Sequence, residues 1–241
     1  MTDLPRLYTD LAWVWPILSE IENYAEEAEE FHWAIDDNAR IKVSSLLHLG
    51  SGGGHIDYYL KRHFCLTGVD ISADMLDLAR KLNPEVTYVQ VDMRSLRLGT
   101  NFDAVIIADS IDYMLSQEDL RRSFLTAYAH LKPGGVFCTY AEHHRENFKQ
   151  NFTQAWHREK PEIDASIVEN RYDPDPADST FEAVFIYILH RQGKLEIYHD
   201  RHVLGLFWLK NWEDLLHQSG FEVRHGDFDD GIPFFVCLKP T

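Results

Sequence analysis

The chain reads as an α/β protein. Its sheet is expected to be doubly wound, seven-stranded and mostly parallel, to end in an antiparallel hairpin, and to carry a small inserted antiparallel sheet. Three observations predict this. Between Ser45 and Tyr140, short apolar runs alternate with stretches of helical periodicity, which is the rhythm of βαβ units. The first apolar run, Ser45 to Leu49, stops at glycines 50, 52, 53 and 54 and then opens into a helix. Near the end, Phe221-Glu-Val and Phe234 to Leu238 flank a short polar turn, the pattern of a closing hairpin.

The elements follow in order. Glycines after the first strand let the backbone turn tightly and approach a ligand closely. A dinucleotide fingerprint wants G-x-G-x-x-G, but its third position falls here on His55; the chain offers G-x-G-x-G at 50, 52 and 54. A helix is read over Ile56 to His63. Cys65 to Asp70 is a second strand ending in an acid, placed to accept the ribose hydroxyls of a nucleoside. Ser72 is the better cap for the next helix, with Asp74 in its first turn, which leaves Asp70 free. Met75, Leu76, Ala79 and Leu82 recur at helical spacing until Asn83-Pro84. Val86 to Asp92 is a third strand, again ending in an acid. Phe102 to Asp109 is a fourth, apolar enough to be buried on both faces. Ser116-Gln-Glu-Asp119 resembles a capping box before a helix with Leu120, Phe124, Ala127 and Leu131 inward. Lys132-Pro-Gly-Gly135 ends it, and Val136 to Tyr140 is a fifth strand.

These residues resemble the class I S-adenosylmethionine-dependent methyltransferases over the larger part of the chain. Leu47 to Gly54 is similar to the family's first motif, Asp70 to its ribose-binding acid, and Asp92-Met93 to the pair that reads the adenine. Phe102 to Asp109 and Leu131 to Gly135 match the fourth-strand motif and the turn before the fifth strand. The resemblance is nearer to bacterial sugar N,N-dimethyltransferases. These share Asp92-Met-Arg94, Arg97-Leu-Gly99, a Tyr-containing N-terminal segment and the run Asp200 to Phe207. The chain departs from them at Asp109 to Tyr113 and at His143-His144, where a substrate sits.

The resemblance implies S-adenosyl-L-methionine as cofactor and a small-molecule acceptor methylated at N or O. It implies that Gly50, Ser51 and Gly52 lie against the methionyl portion and that Asp70 takes the ribose. Asp92, the Met93 amide and neighbouring Arg94 then form the adenine end, Ile71 and Met75 sandwich the ring, and Asp109 is a further cofactor contact. A general base, where the acceptor needs one, belongs near the ends of the fourth and fifth strands: Asp109, Asp112, Tyr113 or His143, with Tyr8 reaching over. Among 13 histidines, His143 reads more readily as a surface residue, and His48 as a satisfied core histidine.

Composition bounds the partners. At 241 residues the chain can form one α/β domain with a sizeable core. Its formal net charge of -16 and lack of a basic stripe argue against nucleic acid. No apolar run suits a bilayer and no signal-peptide pattern is present, so a cytoplasmic protein is expected. Cys65, Cys138 and Cys237 are far apart and read as buried free thiols. No C-x-x-C or H-E-x-x-H spacing suggests a metal.

The expected organisation is a helical lid segment over 1–41, a cofactor-binding core over 42–141, an inserted sheet over 163–207, and a last helix with the closing hairpin over 208–241. In the lid, Ile21, Tyr24, Ala28, Phe31 and Ile35 share one helical face opposite glutamates. The inserted sheet, three strands from Ile167, Phe181 and Leu195, suits either a roof over the substrate or a homodimer contact. Two other readings stand beside methyl transfer. A nicotinamide-dependent oxidoreductase suits the βαβ unit, but His55 and Asp92-Met93 do not suit it. A non-catalytic cofactor-binding protein of the same fold is the other.

Overall fold

The computed structural model describes residues 4–228 and 231–241. The seven-stranded sheet runs in the order β10-β11-β5-β4-β1-β2-β3. Its strands are β1 (Ser45–Leu49), β2 (Cys65–Asp70), β3 (Thr87–Gln90), β4 (Phe102–Ile107), β5 (Leu131–Tyr140), β10 (Glu222–Asp227) and β11 (Pro233–Leu238). The first five are parallel, and β11 and β10 add antiparallel at the edge beyond β5. The expected doubly wound sheet with a closing hairpin is therefore present.

Helices cover both faces. α2 (Ala25–Asn38) and α3 (His55–Leu60) bury Ala28, Phe31, Ile35, Ile56 and Leu60 against Leu46, Ile106 and Val136 on one side. α5 (Gln117–His130) and α6 (Leu209–Gln218) bury Phe124, Trp212 and Leu216 against Leu47, Val105 and Phe137 on the other. Alternate residues of the same strands supply the two cores, as the pleat requires. α4 (Ala73–Leu82) starts where Ser72 Oγ accepts the Met75 amide hydrogen at 3.1 Å, and Ser116 Oγ caps α5 through the Asp119 amide at 3.1 Å. No helix among the described residues is long and apolar enough to cross a membrane.

One ion pair ties the sheet's lower rim. Asp103 accepts from Lys132 Nζ at 2.7 Å and from the amides and hydroxyls of Ser44 and Ser45 at 2.8–3.0 Å. Burial pushes its carboxyl upward, but these donors outweigh burial and hold it well below the usual range. Asp103→Ala is expected to cost about 2 kcal/mol at pH 7. Because the folded pKa is depressed, that contribution is complete above the unfolded value of about 4 and is lost as pH falls further. Urea midpoints of variant and parent should therefore converge below about pH 4.

The second sheet has four antiparallel strands in chain order: β6 (Phe152–Lys160), β7 (Ile163–Tyr172), β8 (Thr180–Arg191) and β9 (Lys194–Gly205). Three were expected. β6 is the additional one, an edge strand whose residues are largely polar and at most half-buried. Backbone pairing to β7 defines it, and that pairing leaves no apolar stripe in the sequence. The inner face of this sheet carries Ala165, Ile167, Tyr187 and Leu189, which bury Leu7, Leu11, Val14 and Leu18 of the N-terminal segment. That segment is built from short 3₁₀ turns and the four-residue α1 (Trp15–Leu18). A second correction concerns the thiols: Cys138 and Cys237 are buried, but Cys65, first residue of β2, is exposed.

Candidate active site

The glycine turn lies at the carboxyl end of β1. Gly50, Gly52 and Gly54 have φ of +75°, +51° and +77°, a region in which only glycine is unstrained. Each glycine has a different neighbour. A Cβ on Gly50 would strike Ser110, one on Gly53 the Trp15 indole, and one on Gly54 Asn83 and Tyr88. A Cβ on Gly52 would meet only Met75 Cε, at 3.7 Å. Gly52 therefore presents bare backbone to open space, the condition for close ligand approach.

Asp70 follows one strand along. Its Oδ2 accepts the Gly52 amide hydrogen at 2.9 Å and its Oδ1 the Ser72 amide hydrogen at 2.8 Å. Burial raises its carboxyl, with these amides opposing. Asp70 thus shapes the turn, and each oxygen keeps lone pairs for a diol. Ile71 is 45% exposed beside it. Met75 is buried beneath the turn, with its Cε against Gly52 and Gly53.

Asp92 is engaged by its own neighbour. Both carboxylate oxygens accept from the Arg94 guanidinium at 2.6–3.0 Å, and Arg94 reaches on to Asp119 at 3.0 Å. Burial pushes the Asp92 carboxyl up, but Arg94 outweighs it and the net shift is downward. Arg94 holds the Asp92 carboxylate ionised in one orientation, and a partner at the adenine end would share it with the guanidinium.

Under the turn lies a buried polar chain. His48 Nδ1 bonds Asp57 Oδ1 at 2.6 Å, Tyr88 donates to Asp57 Oδ2 at 2.8 Å, and Asn83 Nδ2 donates to the Gly54 carbonyl at 2.8 Å. His48 is only half satisfied, because its Nε2 is buried without a partner. Eleven buried side-chain polar atoms among the described residues lack partners, and five surround this turn: Trp15 Nε1, His48 Nε2, Ser51 Oγ, His55 Nδ1 and Asn83 Oδ1. Orphaned polar atoms around a side-chain-free turn fit a nucleoside with a polar tail.

Beyond the turn is a cavity of about 340 Å³. The N-terminal segment, the ends of β4 and β5 and the inner face of the second sheet enclose it, and all five expected base candidates line it. Asp109 follows β4; protein surrounds it, yet its side chain stays exposed to the cavity. Burial first, then the charges of Glu142 and Asp112, push its carboxyl up to about 6. Asp112 is buried and likewise pushed up to about 6, with His143 opposing. His143 is not a surface residue: its side chain is 12% exposed and its Nδ1 lies 2.8 Å from Asp112 Oδ2. Its Nε2 is buried without a hydrogen-bond partner, 4.0 Å from Glu142. Burial lowers the His143 pKa, and Asp112 outweighs burial to raise it overall. Asp112, Glu142 and His143 also stand close enough together to hold a cation.

Tyr8 reaches over as expected. Its hydroxyl bonds Tyr113 at 2.9 Å, Tyr113 meets His202 Nδ1 at 2.7 Å, and His202 Nε2 meets Asp200 Oδ2 at 3.0 Å. Asp200 Oδ2 also accepts the Leu7 amide hydrogen at 2.7 Å, so the chain of bonds returns to the N-terminal segment. Burial drives both tyrosines well above their usual range, which keeps them neutral. Several cavity residues were not expected from the sequence: Glu142, Glu169, Arg171 and His202. A signal was present for two of them. Glu169 and Arg171 continue the inward alternation of Ile163, Ala165 and Ile167, and charges in an apolar stripe mark a polar lining.

A methyltransferase domain model matches residues 46–135, from β1 to the turn within β5. The chain is similar to the dTDP-3-amino-3,4,6-trideoxy-alpha-D-glucopyranose N,N-dimethyltransferase of Streptomyces venezuelae, 34% identical over 139 residues. The chain spans little more than half of that relative, 57% of its length and 56% of its own. The crystal structure of Streptomyces venezuelae DesVI is similar over 96% of both chains, with a TM-score of 0.85 and 26% identity. Residues 46–135 are thus a methyltransferase domain. The sugar N-methyltransferase KedS8 from a Streptoalloteichus species shares the fold, with a TM-score of 0.84 at 22% identity over 100% of this chain and 96% of that one. The likeness in fold thus extends to the second sheet and the N-terminal segment, well outside residues 46–135.

Proposed function

We propose that the chain transfers a methyl group from S-adenosylmethionine to the amino group of a small, hydroxylated acceptor such as an amino sugar. The observation that carries this reading is the enclosed acidic cavity at the strand ends, next to a glycine turn that fits the cofactor. The names of its relatives support it: the Streptomyces venezuelae enzyme acts on a dTDP-linked amino sugar, and KedS8 is a sugar N-methyltransferase. The cofactor supplies a methyl carbon on a sulfonium, already a good leaving group. What the chain contributes is alignment and exclusion of water, and attack geometry alone is worth roughly 7–11 kcal/mol.

The acidic lining suits a cationic guest. A carboxyl whose folded pKa is raised resists ionisation, so the fold loses stability as pH rises from the unfolded value of about 4 to about 6 and carries that cost at every higher pH. A nearby ammonium or sulfonium offsets that cost. The apolar and aromatic walls, Leu7, Trp156, Phe185 and Leu204, suit the less polar face of a ring.

An ammonium must lose a proton before it attacks. His143 is oriented to take it: with Asp112 ionised, Nδ1–H donates to Oδ2 and leaves the lone pair on Nε2. His143→Gln is expected to lower kcat/KM about tenfold for an amine acceptor. Asp112→Asn removes the carboxylate that raises the His143 pKa, so the acid limb of kcat/KM should move to lower pH. A limb that stays in place in both variants would dismiss His143 as the base. The reading as a whole is tested by radiolabelled methyl transfer to a panel of nucleotide-linked amino sugars and their hydroxyl counterparts. Label on the amines supports it, and label on neither acceptor class removes it.

A further inference from the structure

We propose that Trp15, from the N-terminal segment, binds the amino-acid tail of the cofactor by donating its indole N–H to the tail's carboxylate. The inference rests on the cofactor reading above. Four observations carry it. The indole Nε1 is buried and has no partner among the described residues. It lies over the glycine turn, where a Cβ on Gly53 would come within 2.8 Å of it. Trp15 also lines the cavity that holds Asp109, so the ring stands between the turn and the acceptor space. The segment is fixed in place: Ser72 Oγ donates to the Tyr8 carbonyl at 2.5 Å, and Asp200 accepts the Leu7 amide hydrogen at 2.7 Å.

The chemistry of the group narrows its partner. An indole nitrogen donates and cannot accept. Its partner is therefore an acceptor, and a carboxylate beside bare backbone amides gains most from a fixed donor. The ring is also held in place by contacts that do not need the N–H. Its centroid lies 6.0 Å from that of His55 and 6.2 Å from that of Tyr8. His55 adds a second unpartnered nitrogen, Nδ1, at the same turn. Burial lowers the His55 pKa, so it meets the tail as a neutral imidazole. The donors that read the tail thus come from the lid as well as from the βαβ core. A cofactor with its tail in place then seats the segment that forms one wall of the acceptor cavity.

The test compares two ligands that differ only in the tail. S-adenosylhomocysteine carries the amino-acid group; 5′-deoxy-5′-methylthioadenosine has a methyl in its place. Trp15→Phe keeps a ring and removes the N–H. Calorimetric affinity for S-adenosylhomocysteine should fall about tenfold in the variant, while affinity for methylthioadenosine stays within about twofold. Methylthioadenosine binding reports that the variant is folded, so misfolding cannot imitate the result. In the ¹⁵N-labelled parent, the Trp15 indole resonance should move with S-adenosylhomocysteine and stay put with methylthioadenosine. Equal losses for both ligands would reduce Trp15 to packing and overturn the proposal, as would no loss for either. A parent protein that binds neither ligand would instead overturn the cofactor reading and this proposal with it.

Discussion

Asp70→Ala is expected to weaken S-adenosylhomocysteine binding by about a hundredfold, because two kinds of interaction fail together. The carboxylate accepts the Gly52 and Ser72 amide hydrogens, at 2.9 and 2.8 Å. Without it the turn loses the fastening that aims its bare backbone. A ribose diol also loses a charged acceptor, and hydrogen bonds to charged groups contribute about 1.5–3 kcal/mol each. Methylthioadenosine should lose as much as S-adenosylhomocysteine, since both carry the ribose. That outcome would separate a role of Asp70 at the nucleoside from one of Trp15 at the tail. Titration calorimetry of both ligands decides the matter, and an affinity equal to the parent's would refute the ribose assignment. Asp70→Asn is the informative companion, because it keeps one acceptor oxygen and should recover part of the loss.

The second large effect is on stability. Gly50→Ala should destabilise the fold by about 3 kcal/mol, combining backbone strain with overpacking. At φ +75° an L side chain is already disfavoured, and the new Cβ would lie 2.0 Å from Ser110 Oγ, 2.4 Å from Ser110 Cβ and 2.8 Å from Met93 Cε. The Ser110 Cβ belongs to the turn after β4 and cannot swing away as a side-chain tip does. Gly99→Ala is the control. Its φ is +69° but no heavy atom lies within 4 Å of the added Cβ, so only backbone strain remains, about 1 kcal/mol. Thermal unfolding should show a fall of about 6–12 °C for Gly50→Ala and a fall of only a few degrees for Gly99→Ala. Similar shifts for the two would mean that the contact with Ser110 is relieved by movement of the turn.

The glycine turn and the acid beside it were legible because they are local. Gly50, Gly52 and Asp70 belong to consecutive elements of one βαβ unit, and the parallel register of β1 with β2 brings the turn beside the acid. Ser72 and Ser116 were readable as caps for the same reason, since a cap acts three residues along its own chain. The acceptor half was only partly legible. The positions of Asp109, Asp112 and His143 at strand ends could be read from the sequence. The pairing of His143 with Asp112, 31 residues away, could not, and that pairing turns an expected surface histidine into a buried one. β6 stayed hidden because an edge strand is defined by its partner's backbone rather than by its own side chains.

The amino-acid order alone determined the alternation of strands and helices, the closing hairpin and the glycine turn, because periodicity, capping and glycine conformation act over a few residues. The tertiary structure alone decided which distant groups meet: Tyr8 with Tyr113 and His202, Glu27 with Tyr140, and Trp15 with Gly53. Those contacts join the N-terminal segment, the sheet ends and the second sheet. Their geometry follows from how three apolar faces bury one another, which no spacing along the chain records.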